Sequence, residues 1–234
     1  MILDEVLLEL EAAGTERTKK TYISNGAHEP LFGCAIKNLN PISKRIKHDN
    51  ELAFALYDTG NYDAMYLAGM IVDVKKMSRQ DFEDWIKKAY FFMLSDFVVA
   101  ICLVEADFNL ELAEEWINSG NELKMSAGWS TFTWTLESTK DNLFDFEQIN
   151  RLMDKVEQEF HVAPRRAKNA MNAFLVSVGI SYLPLHEKAY VLAKKIRDEV
   201  IQQDPKCKQP GAVATIDNAI AKHKIGFKRN YLRC

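Results

Sequence analysis

Cysteine and histidine, from which small proteins build disulfide frameworks and metal centres, are scarce and scattered in this sequence. Its 234 residues include four cysteines and five histidines, with no Cys-x-x-Cys pair and no ligand-like histidine spacing. Such spacings argue against zinc modules and disulfide scaffolds and are typical of a reducing compartment. We therefore expect a cytoplasmic protein that holds no metal.

Long apolar runs are also missing. No stretch approaches the roughly 20 consecutive apolar residues that a membrane-spanning helix requires, and the sequence does not open on a basic segment followed by an apolar one. A secretory leader would show that order. We therefore expect neither a leader nor contact with a membrane.

Proline and glycine are few as well, at 6 and 10 residues. They fall mostly between segments whose apolar residues recur three and four positions apart, the spacing of an amphipathic helix. Gly14 and Gly60 directly follow such segments, as glycines at helix ends do. No segment alternates apolar and polar residues in the way that predicts a half-buried strand. These patterns predict an all-α protein.

Successive predicted helices recur about every 20 residues, and helix pairs about every 40, which is the period of HEAT-like repeats. The helices cover approximately residues 2–13, 15–24, 50–60, 62–72, 78–89, 110–117, 123–136, 146–160, 164–178, 185–201 and 212–222, with two more that start at Asn40-Pro41 and surround Asp96. We predict an α-solenoid of HEAT-like repeats, an α-α superhelix that forms one domain over residues 1–234. A compact all-helical domain without repeats is the alternative.

Charge is unevenly distributed along the chain, although the net charge is only −3. Residues 164–234 hold 14 Lys and Arg against 5 Asp and Glu, whereas residues 1–163 hold 16 against 28. A basic surface of this kind predicts contact with a polyanion, while solvated helix faces are the plainer interpretation. The candidate phosphate contacts are Arg165, Arg166, Lys168, Lys206, Lys208, Lys222, Lys224, Lys228 and Arg229.

One acid, Asp96, lies in the most apolar part of the sequence, residues 89–134. It is surrounded at helical spacing by residues that include Phe92 and Phe97. Because an unpaired buried charge is very costly, such an acid either has specific partners or is poised for chemistry. The structural alternative is an acid that accepts hydrogen bonds near a helix start, with Ser95-Asp96 as a cap. Trp129, further along, either contacts a ligand or packs in the core.

Two stretches resemble a known family. Residues 32–73, FGCAIKNLNPISKRIKHDNELAFALYDTGNYDAMYLAGMIVD, and residues 165–200, RRAKNAMNAFLVSVGISYLPLHEKAYVLAKKIRDEV, resemble the HEAT-like-repeat DNA alkylation repair family. The resemblance implies binding of double-stranded DNA, alkylated or otherwise distorted, on a concave basic surface, without a cofactor. Active members are glycosylases that hydrolyse the N-glycosidic bond of N3- and N7-alkylated purines. We expect a monomer, although the sequence is also compatible with a dimer.

The resemblance assigns the catalytic carboxylate to Asp96 and aromatic contacts with the cationic base to Phe92 and Trp129. Several positions depart from the family pattern. Phe92 stands where the glycosylases favour tryptophan, and no arginine follows Trp129 to contact phosphate. Ala173 stands where the family has an aromatic residue. Three functions therefore stay open: a glycosylase, a catalytically silent DNA-binding protein and a protein–protein scaffold.

Overall fold

The computed structural model describes residues 1–201 and 211–233. These residues form helices and connecting loops and no β-strand, and a single antiparallel bridge joins Gly14 to Cys34. The prediction of an all-α protein is confirmed. Within the described residues, no helix combines the length and the hydropathy needed to cross a membrane.

The helices form two compact units, Met1–Phe108 with Arg233, and Asn109–Leu232. The prediction of one domain over residues 1–234 stays a prediction. The first unit contains α1 (Leu3–Ala13), α2 (Glu16–Ser24), α3 (Ile36–Ile46), α4 (Asn50–Asp58), α5 (Tyr62–Ile71), α6 (Arg79–Lys88), α7 (Phe92–Leu94), a π-helical turn (Ser95–Val99) and α8 (Ala100–Leu103). The second contains α9 (Asn109–Ile117), α10 (Glu122–Ser138), α11 (Phe146–Glu159), α12 (Arg165–Ser181), α13 (His186–Ile201) and α14 (Ala212–Ala221).

Short polar side chains cap the starts of several helices. The Thr15 hydroxyl accepts a hydrogen bond from the Thr18 amide at 3.2 Å and caps α2. At α6, the Ser78 hydroxyl accepts from the Asp81 amide at 3.2 Å. The Asp81 carboxylate accepts in return from the Ser78 amide at 2.7 Å, which completes a capping box. Each cap satisfies amides that lack a partner within the helix.

The helix start predicted at Asn40-Pro41 is wrong, because α3 begins at Ile36 and Pro41 lies inside it. A proline at this position removes one helical hydrogen bond, the one that would reach the carbonyl of Lys37. Lys37 is exposed, so water can satisfy that carbonyl. Burial of Leu39 and Ile42 on the opposite face stabilises a helix that the local signals place too late.

Each unit has a long buried helical stretch. In the first unit, every residue of Tyr62–Gly69 on α5 is buried. In the second, α10 is buried from Met125 to Thr133 and packs between α9 and α12. Gly128 permits the approach of α9, since a Cβ atom there would lie 2.5 Å from the Ala113 carbonyl oxygen. Small residues thus set the distance between neighbouring helices.

Candidate functional site

Asp96 lies on the π-helical turn Ser95–Val99, between α7 and α8. Its side chain is 8% exposed, and its Oδ1 accepts a hydrogen bond from the Ser95 hydroxyl at 2.7 Å. Helical residues continue on both sides, so Ser95-Asp96 is not the N-cap that the sequence left as an alternative. A π-helical turn interrupts the regular hydrogen-bond ladder, and such turns are frequent at functional sites.

The backbone of this turn is fixed by α5. Val98 packs against Gly69, where a Cβ atom would lie 2.5 Å from the Val98 Cγ1 atom. Cys102, one turn further on, donates its thiol to the Gly69 carbonyl oxygen at 3.4 Å. Because Ser95 and Val98 are both buried, the turn cannot shift without disturbing the core of the first unit. The position of Asp96 is therefore set by packing.

Aromatic rings adjoin the turn that carries Asp96. The ring of Phe92 is partly exposed and lies 4.6 Å from that of Phe91 and 6.4 Å from that of Phe97, centroid to centroid. Phe91 in turn lies 5.6 Å from Tyr62. Aromatic faces attract cations, although phenylalanine does so less strongly than tryptophan. One short segment therefore carries a sheltered carboxylate and a partly exposed aromatic ring.

Trp129 lies in the core of the second unit. Its side chain is 0% exposed, and its ring packs 5.1 Å from that of Phe174. Among the residues that the structure describes, its indole Nε1 finds no hydrogen-bond partner. The structure thus favours the core role that the sequence left as an alternative, because no face of the ring is available to a ligand.

The predicted basic cluster at the start of α12 is partly engaged within the chain. Arg165 is exposed, and the backbone amide of Arg166 donates to the Glu122 carboxylate at 2.8 Å. The Lys168 ammonium donates to the His161 carbonyl oxygen at 2.7 Å. Lys206 and Lys208 lie outside the described residues. A phosphate at this end of α12 would compete with those intramolecular contacts.

The remaining predicted cations lie in residues 222–231, named here the C-terminal segment. Lys222 and Lys224 are exposed. Lys228 instead forms an ion pair with Asp141 at 2.8 Å, and Arg229 forms one with Glu137. These carboxylates neutralise much of the charge of Lys228 and Arg229. The two exposed lysines are consequently better placed than Lys228 and Arg229 to meet a polyanion.

A second buried acid, Asp63 on α5, is one that the sequence interpretation missed. Its carboxylate is 0% exposed and accepts from the backbone amides of Phe32, Gly33 and Cys34 at 2.6, 3.0 and 2.8 Å. Burial raises the pKa of this carboxyl above its ordinary value, and the three amide donors oppose that rise. Asp63 is an acid within an apolar stretch, as Asp96 is, so the same signal identifies it. Its partners make it a structural residue.

Comparison with known proteins identifies the fold and the family. One solved structure has a TM-score of 0.92 and 51% identity to this chain, and the match covers 100% of both chains. That protein belongs to a family described as related to the HEAT-like repeat DNA glycosylases, with affinity for branched DNA structures. The prediction of a HEAT-like repeat fold is confirmed.

Two curated relatives give more distant matches. Uncharacterized proteins of Listeria monocytogenes and Listeria innocua are each 27% identical over 222 residues, which is 92% of this chain and 96% of theirs. The family model for the DNA alkylation repair enzyme matches residues 6–198. Because that match spans most of the 234 residues, the chain belongs to the DNA alkylation repair enzyme family, as its two quoted stretches predict.

Proposed function

We propose that the protein binds branched DNA, in which duplex arms meet at a junction. One observation carries the proposal: a protein from a family with affinity for branched DNA structures is 51% identical over the full length of both chains. Likeness of fold alone would not support a shared function. Identity at this level over the whole length extends to the surface as well as the core, and so supports a shared ligand.

The charge distribution gives this binding a physical basis. Residues 164–234 carry 14 Lys and Arg against 5 acids, and Arg165, Lys222 and Lys224 among them are exposed. Cations that meet phosphates release counterions, which gives affinity without regard to base sequence and makes it fall steeply with salt. The sequence offers no helix-turn-helix or other base-reading motif. Selectivity for a branch would then arise from the geometry of the DNA arms.

The test is a binding titration with a four-way junction and a linear duplex of the same base composition, by fluorescence anisotropy at several salt concentrations. We expect the junction to bind at least about tenfold more tightly at equal salt, with affinity for both falling as salt increases. Affinities that agree within about twofold would contradict branch recognition. Absence of binding to either DNA at low salt would favour a protein–protein scaffold instead.

Excision of alkylated purines is a second candidate function, and the surroundings of Asp96 favour it. An alkylated purine is cationic, so it leaves as a neutral base when its N-glycosidic bond breaks, and water adds at the sugar carbon and loses a proton to the solvent. A carboxylate next to that sugar would stabilise the developing positive charge. Asp96 would supply the carboxylate, and Phe92 would supply an aromatic face to the cationic base. The buried ring of Trp129 lends no support to the aromatic role predicted for it.

Base release from methylated duplex DNA tests this second function. If it operates, the parent protein releases 3-methyladenine or 7-methylguanine, and Asp96→Asn abolishes release while leaving junction binding unchanged. Asp107→Asn, which removes an exposed acid of the same unit, is the matched control and should release base as the parent does. No release from the parent protein would exclude the enzymatic function and leave the proposal of branched-DNA binding intact.

A further inference from the structure

The charged side chains in the last residues of the sequence are all positive. Residues 218–233 contain Lys222, Lys224, Lys228, Arg229 and Arg233, and no aspartate or glutamate. Basic residues without interspersed acids are the electrostatic signature of a surface that meets nucleic acid. Aromatic residues, Phe227 and Tyr231, are interleaved with the cations. Proteins that bind unpaired bases combine these two residue types, since cations contact phosphates and aromatic rings stack on bases.

The C-terminal segment is fastened to the second unit. The Gly226 amide donates to the Ile180 carbonyl oxygen of α12 at 2.6 Å, and the Arg229 amide donates to the Glu137 carbonyl oxygen of α10 at 2.6 Å. Between them, the Lys228 ammonium donates to the Leu136 carbonyl oxygen at 2.7 Å. These bonds hold residues 226–229 in one conformation on the ends of two long helices.

The same anchors leave two large aromatic rings in solvent. Phe227 is 54% exposed and Tyr231 is 82% exposed. Lys228 and Arg229, which lie between them, are paired with acids of the second unit, Lys228 partly buried and Arg229 still half exposed. Gly226 has a φ of 82°, a left-handed conformation that glycine adopts without strain, and it turns the chain immediately before Phe227. The segment thus presents the Phe227 ring on an anchored backbone and the Tyr231 ring two residues beyond the last anchor, together with the exposed Lys222 and Lys224.

We propose that the C-terminal segment is a base-stacking contact for branched DNA. Phe227 and Tyr231 stack on base faces exposed at the branch point, while Lys222 and Lys224 contact the adjoining phosphates. Continuous duplex hides its base faces in the helical stack, whereas the pairs that flank a branch open more readily. Charge complementarity selects a polyanion as the occupant, and exposed rings select one with accessible bases. The proposal rests on the proposed function of branched-DNA binding.

The experiment compares the junction and duplex affinities of the full chain with those of Phe227→Ala/Tyr231→Ala. Removal of an aromatic stacking partner typically costs about five- to a hundredfold in affinity for each base. We therefore expect the double variant to bind the four-way junction at least about tenfold more weakly while its affinity for linear duplex changes less than about twofold. Leu143→Ala, which removes an exposed apolar side chain of the same unit outside the segment, is the matched control and should bind as the parent does.

A spectroscopic readout separates stacking from general loss of binding. With 2-aminopurine beside the branch point, stacking on an aromatic ring should quench its fluorescence when the parent protein binds, and the double variant at saturating concentration should leave it bright. Lys222→Gln/Lys224→Gln should instead weaken binding to both DNAs and lower the salt slope by about two. Both ring positions are exposed, so the variants are expected to fold, which circular dichroism would verify.

The outcomes distinguish this inference from the function on which it rests. A parent protein that binds junction and duplex equally well would overturn the proposed function itself. A parent that prefers the junction, with a double variant that keeps the same preference and the same quenching, would overturn the stacking contact alone. A concentration-dependent dimer that dissociates in the double variant, with DNA binding unchanged, would assign the segment to a second copy of the chain and also overturn it.

Discussion

Arg233 and Glu105 form a two-pronged ion pair, in which the Arg233 Nε and Nη2 atoms each lie 2.7 Å from a different carboxylate oxygen. The third nitrogen, Nη1, donates to the carbonyl oxygens of Gly69 and Val72 at 3.2 and 2.8 Å. These carbonyls lie at the C-terminal end of α5, where helical partners are missing. A positive charge is also favourable there because of the helix dipole. Arg233 thus caps the C-terminal end of α5.

Replacement of Arg233 by alanine should destabilise the first unit. The change removes the side-chain donor to the Val72 carbonyl, leaves the Gly69 carbonyl only the Cys102 thiol, and removes a forked contact to Glu105. We therefore expect a loss of about 2 kcal/mol in the free energy of unfolding. Urea denaturation measures it. Arg233→Lys should recover less than half of that lost free energy, since an ammonium cannot reproduce the two parallel hydrogen bonds to Glu105. Arg45→Ala, which breaks the exposed pair with Glu9, should cost much less, because water and salt screen a surface ion pair. An equal cost for Arg233→Ala and Arg45→Ala would contradict the assigned role.

The Asp63 carboxylate should be more important for stability than any surface acid of the same unit. In Asp63→Asn one acceptor oxygen becomes an amide donor that faces backbone N–H groups of residues 32–34. We expect a loss of about 2–4 kcal/mol, because buried donors are then left unsatisfied. Asp58→Asn, which breaks an exposed 2.6 Å pair with Lys88, should change stability by less than about 1 kcal/mol. Urea midpoints of the two variants that coincide would refute the prediction.

The buried thiols should resist alkylation in the native protein. Burial raises the pKa of Cys34 from 9.0 to about 12 and that of Cys102 from 9.0 to about 11. Because the thiolate is the nucleophile, iodoacetamide at about pH 8 should leave both unmodified until urea unfolds the chain. Peptide mass spectrometry locates the modified cysteines. Native-state alkylation of Cys34 as fast as in the unfolded chain would show that the thiol is not buried.

The same raised pKa values predict loss of stability at alkaline pH. The unfolded chain releases its thiol protons near pH 9.0, whereas the folded chain keeps them up to about pH 11 or 12. Stability contributed by the neutral thiols is therefore complete below pH 9.0 and is lost as the pH rises through that interval. Urea titrations at increasing pH should give falling midpoints, and Cys34→Ala should flatten the fall. A midpoint that rises above pH 9.0 would have the wrong sign.

Gly128→Ala should destabilise the second unit although alanine favours helices by about 1 kcal/mol. The new methyl group would lie 2.5 Å from the backbone oxygen of Ala113, so α9 and α10 must separate. Overpacking of this kind costs about 1–3 kcal/mol. Gly179→Ala is the matched control, because its methyl group would lie 2.6 Å from Cδ1 of the Ile216 side chain, which can shift, and would meet no backbone atom among its three nearest neighbours. In thermal unfolding, the Gly128→Ala variant should have a lower melting temperature than the Gly179→Ala variant. The reverse order would contradict a clash between the new methyl group and the Ala113 carbonyl oxygen.

Local patterns predict most of the fold. The apolar spacing and the capping box at Ser78 find helices such as α6 and α11 because those signals lie within one or two turns of the chain. The start of α3 is wrong for the same reason: Asn40-Pro41 is a good local signal, but burial of Leu39 and Ile42 overrides it. Element boundaries depend on tertiary packing that a local pattern does not contain.

The candidate site divides in a similar way. The sequence identifies Asp96 as a candidate site residue because the apolar residues that surround it in space are also its neighbours in the chain. The hydrogen-bond partners of Asp63 lie about 30 residues away in the sequence, and those of Arg233 lie more than 100 residues away. Local sequence patterns therefore cannot predict these contacts. The exposure of Phe227 and Tyr231 also cannot be predicted from the sequence, because it depends on tertiary contacts of the surrounding residues.

Competition between branched and linear DNA tests branch recognition most directly. A complex with a labelled four-way junction is challenged with increasing unlabelled junction or with linear duplex of the same base composition, at one salt concentration. We predict that displacement requires at least about tenfold more duplex than junction, expressed per nucleotide. Equal displacement by the two DNAs would contradict recognition of branched DNA and leave only charge-driven binding to phosphate.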